Sequence, residues 1–234
     1  KATSNICTAQ ALLAIISAAY AIYHGPKGIL KIAERTSKLA KLFSEGIKSA
    51  GFEVLSEQFF DTVTIKTKDK TKEIYEKALA KKINLRNVNN EMISVAFDEA
   101  KKLDDVNMLL EIFGLNKKYD QSVKIELSNI PSQLKRTSKY LTHPVFNKYQ
   151  SETEMLRYLK KLEDCDIALN RSMIALGSCT MKLNATAELI PITWKEFSLP
   201  HPFVPVEQMK GYQVLFSDQF FDTVTIKTKN KTRE

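Results

Sequence analysis

The spacing of apolar residues changes along the chain, and each change predicts a new element. Residues 6–23 are dense in Ala, Leu and Ile, which is typical of a buried helix, and His24-Gly25-Pro26 should end it. From 27 to 50, apolar residues recur at three- and four-residue steps, so a second helix is predicted, with Gly51 as its C-terminal cap. The period falls to two over Phe59–Lys66, which predicts a strand.

Three more elements follow before the pattern is lost. Lys72–Lys82 is predicted as a short helix, and Met92–Phe97 as a strand that follows the turn-forming run Asn87-Val88-Asn89-Asn90. Leu103–Phe113 is predicted as a helix that Gly114 ends. This order of helices and strands predicts an α+β fold, with helices over a small, mainly antiparallel sheet.

The second half of the chain has a different character. Turn and loop residues dominate up to Asn147, and prolines interrupt the chain after Asp166. One helix is predicted between these stretches, with Ser151 as its N-cap and Glu154 completing a capping box. Its apolar face carries Met155, Leu156, Leu159 and Leu162.

The last eighteen residues repeat an earlier segment. Residues 217–234 read SDQFFDTVTIKTKNKTRE and residues 56–73 read SEQFFDTVTIKTKDKTKE, so only three positions differ. Two copies do not make a repeat architecture. We interpret the second copy as a duplication, a splice or gene-model join, or an expression scar. It has a strand pattern but no following hairpin partner, and we expect it to be disordered.

These patterns predict four segments. Residues 1–24 form a helix, and 25–118 form a small α+β domain. Residues 119–216 form an extended linker, and 217–234 are the copy of 56–73.

Composition excludes several classes of function. The net charge is +8, but the lysines are mixed with acidic residues and no recognition motif accompanies them, so a solvated surface is favoured over nucleic-acid binding. No apolar run is long enough to span a bilayer. The three cysteines have the spacing of neither a disulfide framework nor a metal site, which favours reduced thiols.

Four motifs point to a family. They are KATSNICTAQALL at 1–13, RTSKYLTH at 136–143, SETEMLRY at 151–158, and GSCTMKLN at 177–184 followed by PITW at 191–194. In order and spacing the chain resembles the P-protein family of the glycine cleavage system, the glycine dehydrogenases (decarboxylating). Gln150, Cys165 and Ala175 depart from the expected His, Lys and Pro, which indicates relaxed constraint.

The resemblance implies a fold and an activity. Family members contain two similar halves of the aspartate-aminotransferase-like fold (fold type I), and only the second half holds pyridoxal phosphate on a lysine. This chain would cover the helix at 1–24 that leads from the missing large domain of the first half, the small α+β domain of that half, and the extended linker that crosses into the second. The family is an oxidoreductase of glycine catabolism that decarboxylates glycine and transfers the aminomethyl group to the lipoyl arm of H-protein. Because the cofactor lysine lies outside the matched region, the isolated chain is expected neither to bind pyridoxal phosphate nor to be active.

The resemblance also implies partners and a location. Lipoylated H-protein and the missing second half, or a second P-protein copy, are the expected partners, and the intact family is expected to be dimeric. Neither nucleic acid nor membrane is expected. In a eukaryote the location would be the mitochondrial matrix. The alternative is a non-catalytic interaction module or degenerate copy that pairs with intact P-protein or H-protein.

By resemblance, the 177–184 loop lies near the active site. Its candidate substrate- or cofactor-facing residues have polar side chains or a thiol, and they are Ser178, Cys179, Thr180, Lys182 and Asn184. Loop capping explains the hydroxyls and the amide equally well, and Cys179 is expected to be a packed small residue. Lys182 is not expected to be the Schiff-base lysine. His143 is a candidate proton-transfer group, although a hydrogen-bonded loop histidine is favoured. No metal-ligand set is present.

Overall fold

The structure is a computed structural model. It describes residues 9–120, 122–123, 130–165, 187, 190–201, 203–208, 214–216 and 224–226. The chain divides into two compact units, Lys1–Ala168 and Leu169–Glu234.

A long helix, α1 (Ala9–Ser49), opens the first unit and is broken where the sequence predicts. Gly25 has φ 60° and ψ 179°, a conformation available almost only to glycine, and Pro26 follows it inside the helix. At the C-terminal end, Gly51 has φ 81°. Its N–H donates to the Lys48 carbonyl at 3.0 Å, and the Phe52 N–H donates to the Ile47 carbonyl at 3.3 Å. This is a Schellman motif, so the predicted cap is confirmed.

Four antiparallel strands form the sheet of this unit. They are β1 (Glu53–Val54), β2 (Thr62–Lys66), β3 (Arg86–Asn89) and β4 (Met92–Ala96), in the order β1-β2-β4-β3. Val63 pairs with Val95, and Ile65 pairs with Ile93. Helix α2 (Thr71–Ala80) lies between β2 and β3 in the chain, and helix α3 (Leu103–Ile112) follows β4. The α+β prediction is therefore confirmed.

Two strands differ from the prediction. The run Asn87–Asn90 is not a turn: residues 86–89 pair with β4, with a register shift between Asn87 and Asn89, and only Asn90 and Glu91 make the turn. Asparagine is depleted in strands, and pairing with β4 overrides this preference. The two-residue β1 is too short to show any period.

The core lies between one face of the sheet and the three helices. On the sheet side Val63, Ile65 and Ile93 are completely buried. Gly46 of α1 permits a close helix crossing, because a Cβ there would lie 2.5 Å from Leu110 of α3. The helices contribute the remaining buried apolar residues, which include Leu39, Leu42, Phe43, Ile47, Ile74, Ala78, Val106, Leu109, Leu110 and Ile112.

Residues 130–165 complete the described part of this unit with little burial. Two short 3₁₀ helices, Ser132–Leu134 and Pro144–Asn147, precede α4 (Glu152–Glu163). The predicted N-cap of α4 is confirmed, since the Ser151 hydroxyl accepts from the Glu154 N–H at 3.3 Å. The same hydroxyl donates to the Glu154 carboxylate at 3.2 Å.

The second unit is described in pieces. It contains 3₁₀ helices Ile190–Thr193 and Val206–Gln208, the short α5 (Lys195–Ser198), and strands β5 (Val214–Phe216) and β6 (Val224–Ile226). Strand β6 lies inside the repeated tail and pairs with β5. The copied strand is therefore not unpaired: no hairpin partner was expected after it, and its partner precedes it. Within the described residues, no helix has the length and apolarity required to cross a bilayer.

Candidate functional site

His143 is the one predicted site residue that the structure describes. It is exposed and is the N-cap of the 3₁₀ helix Pro144–Asn147. Its Nδ1 accepts from the Val145 N–H at 3.2 Å, which leaves Nε2 as the nitrogen that carries the proton in the neutral ring. The Asn147 amide donates to the carbonyls of Leu141 and His143 at 3.2 and 3.3 Å. The imidazole is thus hydrogen-bonded within its own loop, and its assignment as a proton-transfer group stays a prediction.

The loop that carries His143 packs against the break in α1. The Tyr140 hydroxyl donates to the Pro26 carbonyl at 2.6 Å. Gly25 is buried directly against this loop, since a Cβ on it would lie 2.7 Å from the Phe146 carbonyl oxygen and would clash with the Gln150 side chain. The Gln150 amide in turn donates to the Phe146 carbonyl at 3.0 Å. The α1 break and the loop that carries His143, which are distant in sequence, are thus held together.

The other predicted site residues cannot be placed. Ser178, Cys179, Thr180, Lys182 and Asn184 lie outside the described residues. Their assignment as substrate- or cofactor-facing groups stays a prediction. The described residues contain no cluster of three or more potential metal ligands.

One open cleft of about 410 Å³ lies where α1 meets the start of α3. Four charged residues line it beside the apolar ones, namely Arg35, Lys38, Lys102 and Asp120, and two of them, Arg35 and Asp120, are bonded within the fold. Arg35 donates to the carbonyl of Lys101 at 2.6 Å. The hydroxyl and the backbone N–H of Ser122 bond the Asp120 carboxylate, and these bonds lower the pKa of Asp120. The apolar lining is Leu39, Leu42, Leu103 and Val123.

The remaining described histidines also have local roles. His24 packs between Tyr20 and Tyr23, with ring centroids 4.3 and 5.3 Å away. The Nδ1 of His201 accepts from the Phe203 N–H at 3.0 Å. Sequence reasoning missed the contact between the His143 loop and the α1 break. The Gly-Pro pair marks the break, but nothing in the pattern shows what packs there.

The described geometry defines an α+β unit joined to a segment that folds back onto its first helix. Comparison with known proteins finds matches in one family. Residues 1–113 match the family model described as Glycine cleavage system P-protein. The chain is 66% identical over 218 residues to a glycine dehydrogenase (decarboxylating) of Pelagibacter ubique, and 53% identical over 222 residues to that of Photobacterium profundum. The matches confirm the family recognition made from the motifs.

Each match covers only a small part of the relative. Each covers 93% of this chain but only 23% of the relative, and the same shares apply to the Vibrio parahaemolyticus protein at 51% identity. The chain therefore spans about a quarter of the length of the curated relatives it matches.

Proposed function

We propose that this chain serves as the small α+β domain and the adjoining crossing segment of a glycine cleavage P-protein, and that it does not turn over glycine by itself. The observation that carries the proposal is the alignment of 93% of the chain, at 66% identity, with 23% of a glycine dehydrogenase (decarboxylating). The whole protein would decarboxylate glycine with pyridoxal phosphate and pass the aminomethyl group to lipoylated H-protein. The proposed assembly is a dimer, and the proposed location in a eukaryote is the mitochondrial matrix.

The described residues do not fit pyridoxal phosphate. A Schiff-base lysine needs an enclosed site, where it also loses its charge more readily. Every lysine in the described part of the chain is exposed or half-buried, and the buried polar residues there are hydroxyl types: Thr36, Ser44, Thr67, Thr71 and Ser94. No catalytic step is therefore assigned to these residues.

A cofactor-binding experiment tests this part of the proposal. The purified chain, incubated with pyridoxal phosphate, should show no aldimine absorbance. After reduction with borohydride, it should show no adduct that is specific to one lysine. A specific adduct at Lys182 would overturn the proposal and make the 177–184 loop the cofactor site.

Two exposed apolar faces indicate where more protein packs. The α+β unit is closed around its own core, yet Leu13, Ile15 and Ile16 of α1 are 67%, 63% and 53% exposed. On α4, Leu156, Leu159 and Leu162 are 60%, 44% and 48% exposed. We assign the remaining polypeptide of a P-protein as the partner of both faces, because about three quarters of the relatives' length lies outside the matched region.

Co-expression tests this partner. The chain should co-purify with a P-protein segment that lacks the matched region, and the pair should release carbon dioxide from glycine when H-protein is present. Leu156→Ser with Leu159→Ser should reduce co-purification, whereas Arg157→Gln with Lys161→Gln on the polar side of α4 should not. Equal recovery of both variants would contradict the assigned contact.

The repeated tail favours a second candidate function. Where the resemblance predicts continuation into the second half, the chain repeats its own strand sequence. A non-catalytic module that pairs with intact P-protein or with H-protein would tolerate this change. Binding of the chain to intact P-protein, without any gain of activity on adding the missing segment, would support this candidate over the first.

A further inference from the structure

The C-terminal repeat is longer than a strand. Upstream of the copied residues the chain reads GYQVL at 211–215, which matches GFEVL at 51–55. One additional residue, Phe216, separates this match from the copy at 217–234. The repeat thus contains the sequences of both β1 and β2, together with their connection.

The two copies also pair in the same register. In the first copy Val54 pairs with Ile65, and the Leu55 N–H donates to the Thr64 carbonyl at 2.9 Å. In the second copy Val214 pairs with Ile226, and Leu215 pairs with Thr225. These are equivalent positions in the two sequences. The C-terminal hairpin, β5 with β6, therefore reproduces the β1–β2 pairing despite the additional residue.

Strand β2 contacts β4 through side chains that β6 repeats. Val63 and Ile65 are completely buried opposite Val95 and Ile93. On the other face the Thr64 and Ser94 hydroxyls are hydrogen-bonded at 3.0 Å. The equivalent residues of β6 are Val224, Thr225 and Ile226, so a hairpin in the position of β1–β2 would present β4 with the same three side chains.

We propose that the C-terminal hairpin is an alternative occupant of the β1–β2 position beside β4, either in its own chain or in a second copy of the chain. Because both hairpins present the same side chains to β4, chain connectivity decides which of them pairs. The β1–β2 hairpin is attached directly to α1 and α2 and closes short loops, so it occupies the sheet. The C-terminal hairpin takes its place when β2 is weakened, by the exchange of identical elements that underlies domain swapping.

Matched substitutions in the full chain test this exchange. Val63→Asp with Ile65→Asp would place two carboxylates in the core and prevent β2 from pairing. We expect this variant to keep a cooperative unfolding transition, because the C-terminal hairpin replaces β1–β2. Val224→Asp with Ile226→Asp should leave the transition as in the parent chain. All four substitutions together should abolish it. If the Val63/Ile65 variant loses the transition as completely as the fourfold variant does, the proposal is wrong.

A cross-link identifies the register. Ser94→Cys with Thr225→Cys, in a chain whose natural cysteines are replaced by Ser, should form a disulfide only when Val63→Asp and Ile65→Asp are also present. The product has the mass of one chain if exchange is internal and of two chains if it is between copies, and either mass supports the proposal. Ser94→Cys with Thr64→Cys in the parent chain is the positive control. A folded Val63/Ile65 variant that forms no such disulfide would overturn the proposal.

Discussion

Gly25 combines two constraints at a single residue. Its φ of 60° with ψ of 179° is open almost only to glycine, and its Cα faces the Phe146 carbonyl across a gap that no side chain fits. Gly25→Ala should therefore lower the free energy of unfolding by about 2–3 kcal/mol, measured by urea denaturation. Tyr140→Phe is the reference variant, because it removes only the hydrogen bond to Pro26 from the same contact and should cost about 1 kcal/mol. A Gly25→Ala cost no larger than that of Tyr140→Phe would contradict the backbone argument.

Lys82 occupies a position better suited to glycine. It follows α2 with φ 60°; its N–H donates to the Leu79 carbonyl, and the Ile83 N–H donates to the Ala78 carbonyl, both at 2.9 Å. This is the same motif that Gly51 completes after α1. Lys82→Gly should raise the free energy of unfolding by about 1 kcal/mol, since the left-handed conformation no longer opposes a Cβ.

The glycine that ends α3 gives the matched control. Gly114 has φ 86°, and no other atom lies within 4 Å of a Cβ built on it. Gly114→Ala should therefore destabilise the protein through backbone strain alone, by an amount similar to the gain from Lys82→Gly. Equal stability of the Lys82→Gly variant and the parent chain would show that Lys82 carries no strain.

The role of a single residue can be predicted from sequence only where that role depends on the residue itself and its near neighbours in the chain. Gly51, Gly114 and Ser151 were predicted as caps because glycine and serine satisfy helix ends through their own backbone or hydroxyl. Lys82 has the same role as Gly51, but lysine gives no such signal.

At the scale of elements, an ion pair joins α2 to α3. Lys81, immediately after α2, donates to the Glu111 carboxylate of α3 at 2.8 Å. This hydrogen bond, and then the charge of Lys81, lowers the pKa of Glu111. A carboxyl whose folded pKa is lowered contributes stability above its unfolded pKa and loses it as the pH falls through the folded pKa. Because both side chains are exposed to solvent, the contribution is small.

Glu111→Gln should therefore lower the urea midpoint slightly at neutral pH and not at all once the pH is below the lowered pKa. The measurement is the urea midpoint as a function of pH for the parent chain and the variant. Lys81→Gln should give the same loss at neutral pH, and the double variant should lose no more than either single one. A difference that persists in acid would show that Glu111 acts through packing instead of charge.

The elements that could be predicted are those whose own apolar residues recur at helix or strand spacing. The broken α1, β2, β4 and α3 each carry enough apolar residues to show a helix or strand spacing. Strand β3 was missed because its asparagines read as a turn, and its pairing with β4 depends on the sheet. The partner of β6 was missed for another reason: β5 precedes the copied strand, whereas the prediction concerned only a strand that follows it.

At the scale of the whole molecule, burial is unevenly distributed. Every residue of the large core cluster lies between Leu39 and Phe113. Over 130–165, by contrast, every residue is exposed or half-buried. Two local contacts fix this second stretch to the first: the Tyr140–Pro26 hydrogen bond and the packing of Gln150 against Gly25. The family motifs could be recognised from sequence. For the difference in burial between the two stretches, the sequence gives only indirect signals, the prolines and loop residues of the second stretch.

This contrast predicts the order of proteolysis. Cleavage of a native protein requires local unfolding, which is inexpensive where little surface is buried and approaches the global unfolding free energy inside a core. Trypsin sites occur in both stretches, for example Lys66 and Lys77 in the α+β unit and Arg136 and Lys139 beyond it, so the availability of sites does not decide the outcome.

We expect the first cuts to fall within residues 129–216 and a fragment containing 25–116 to persist, as measured by mass spectrometry over a time course. Digestion in urea, where all sites should be cut at similar rates, is the control. Early cleavage between Phe52 and Phe97 would show that the sheet opens before the segment that packs against the α1 break, and the assignment of 25–118 as the stable domain would have to be withdrawn.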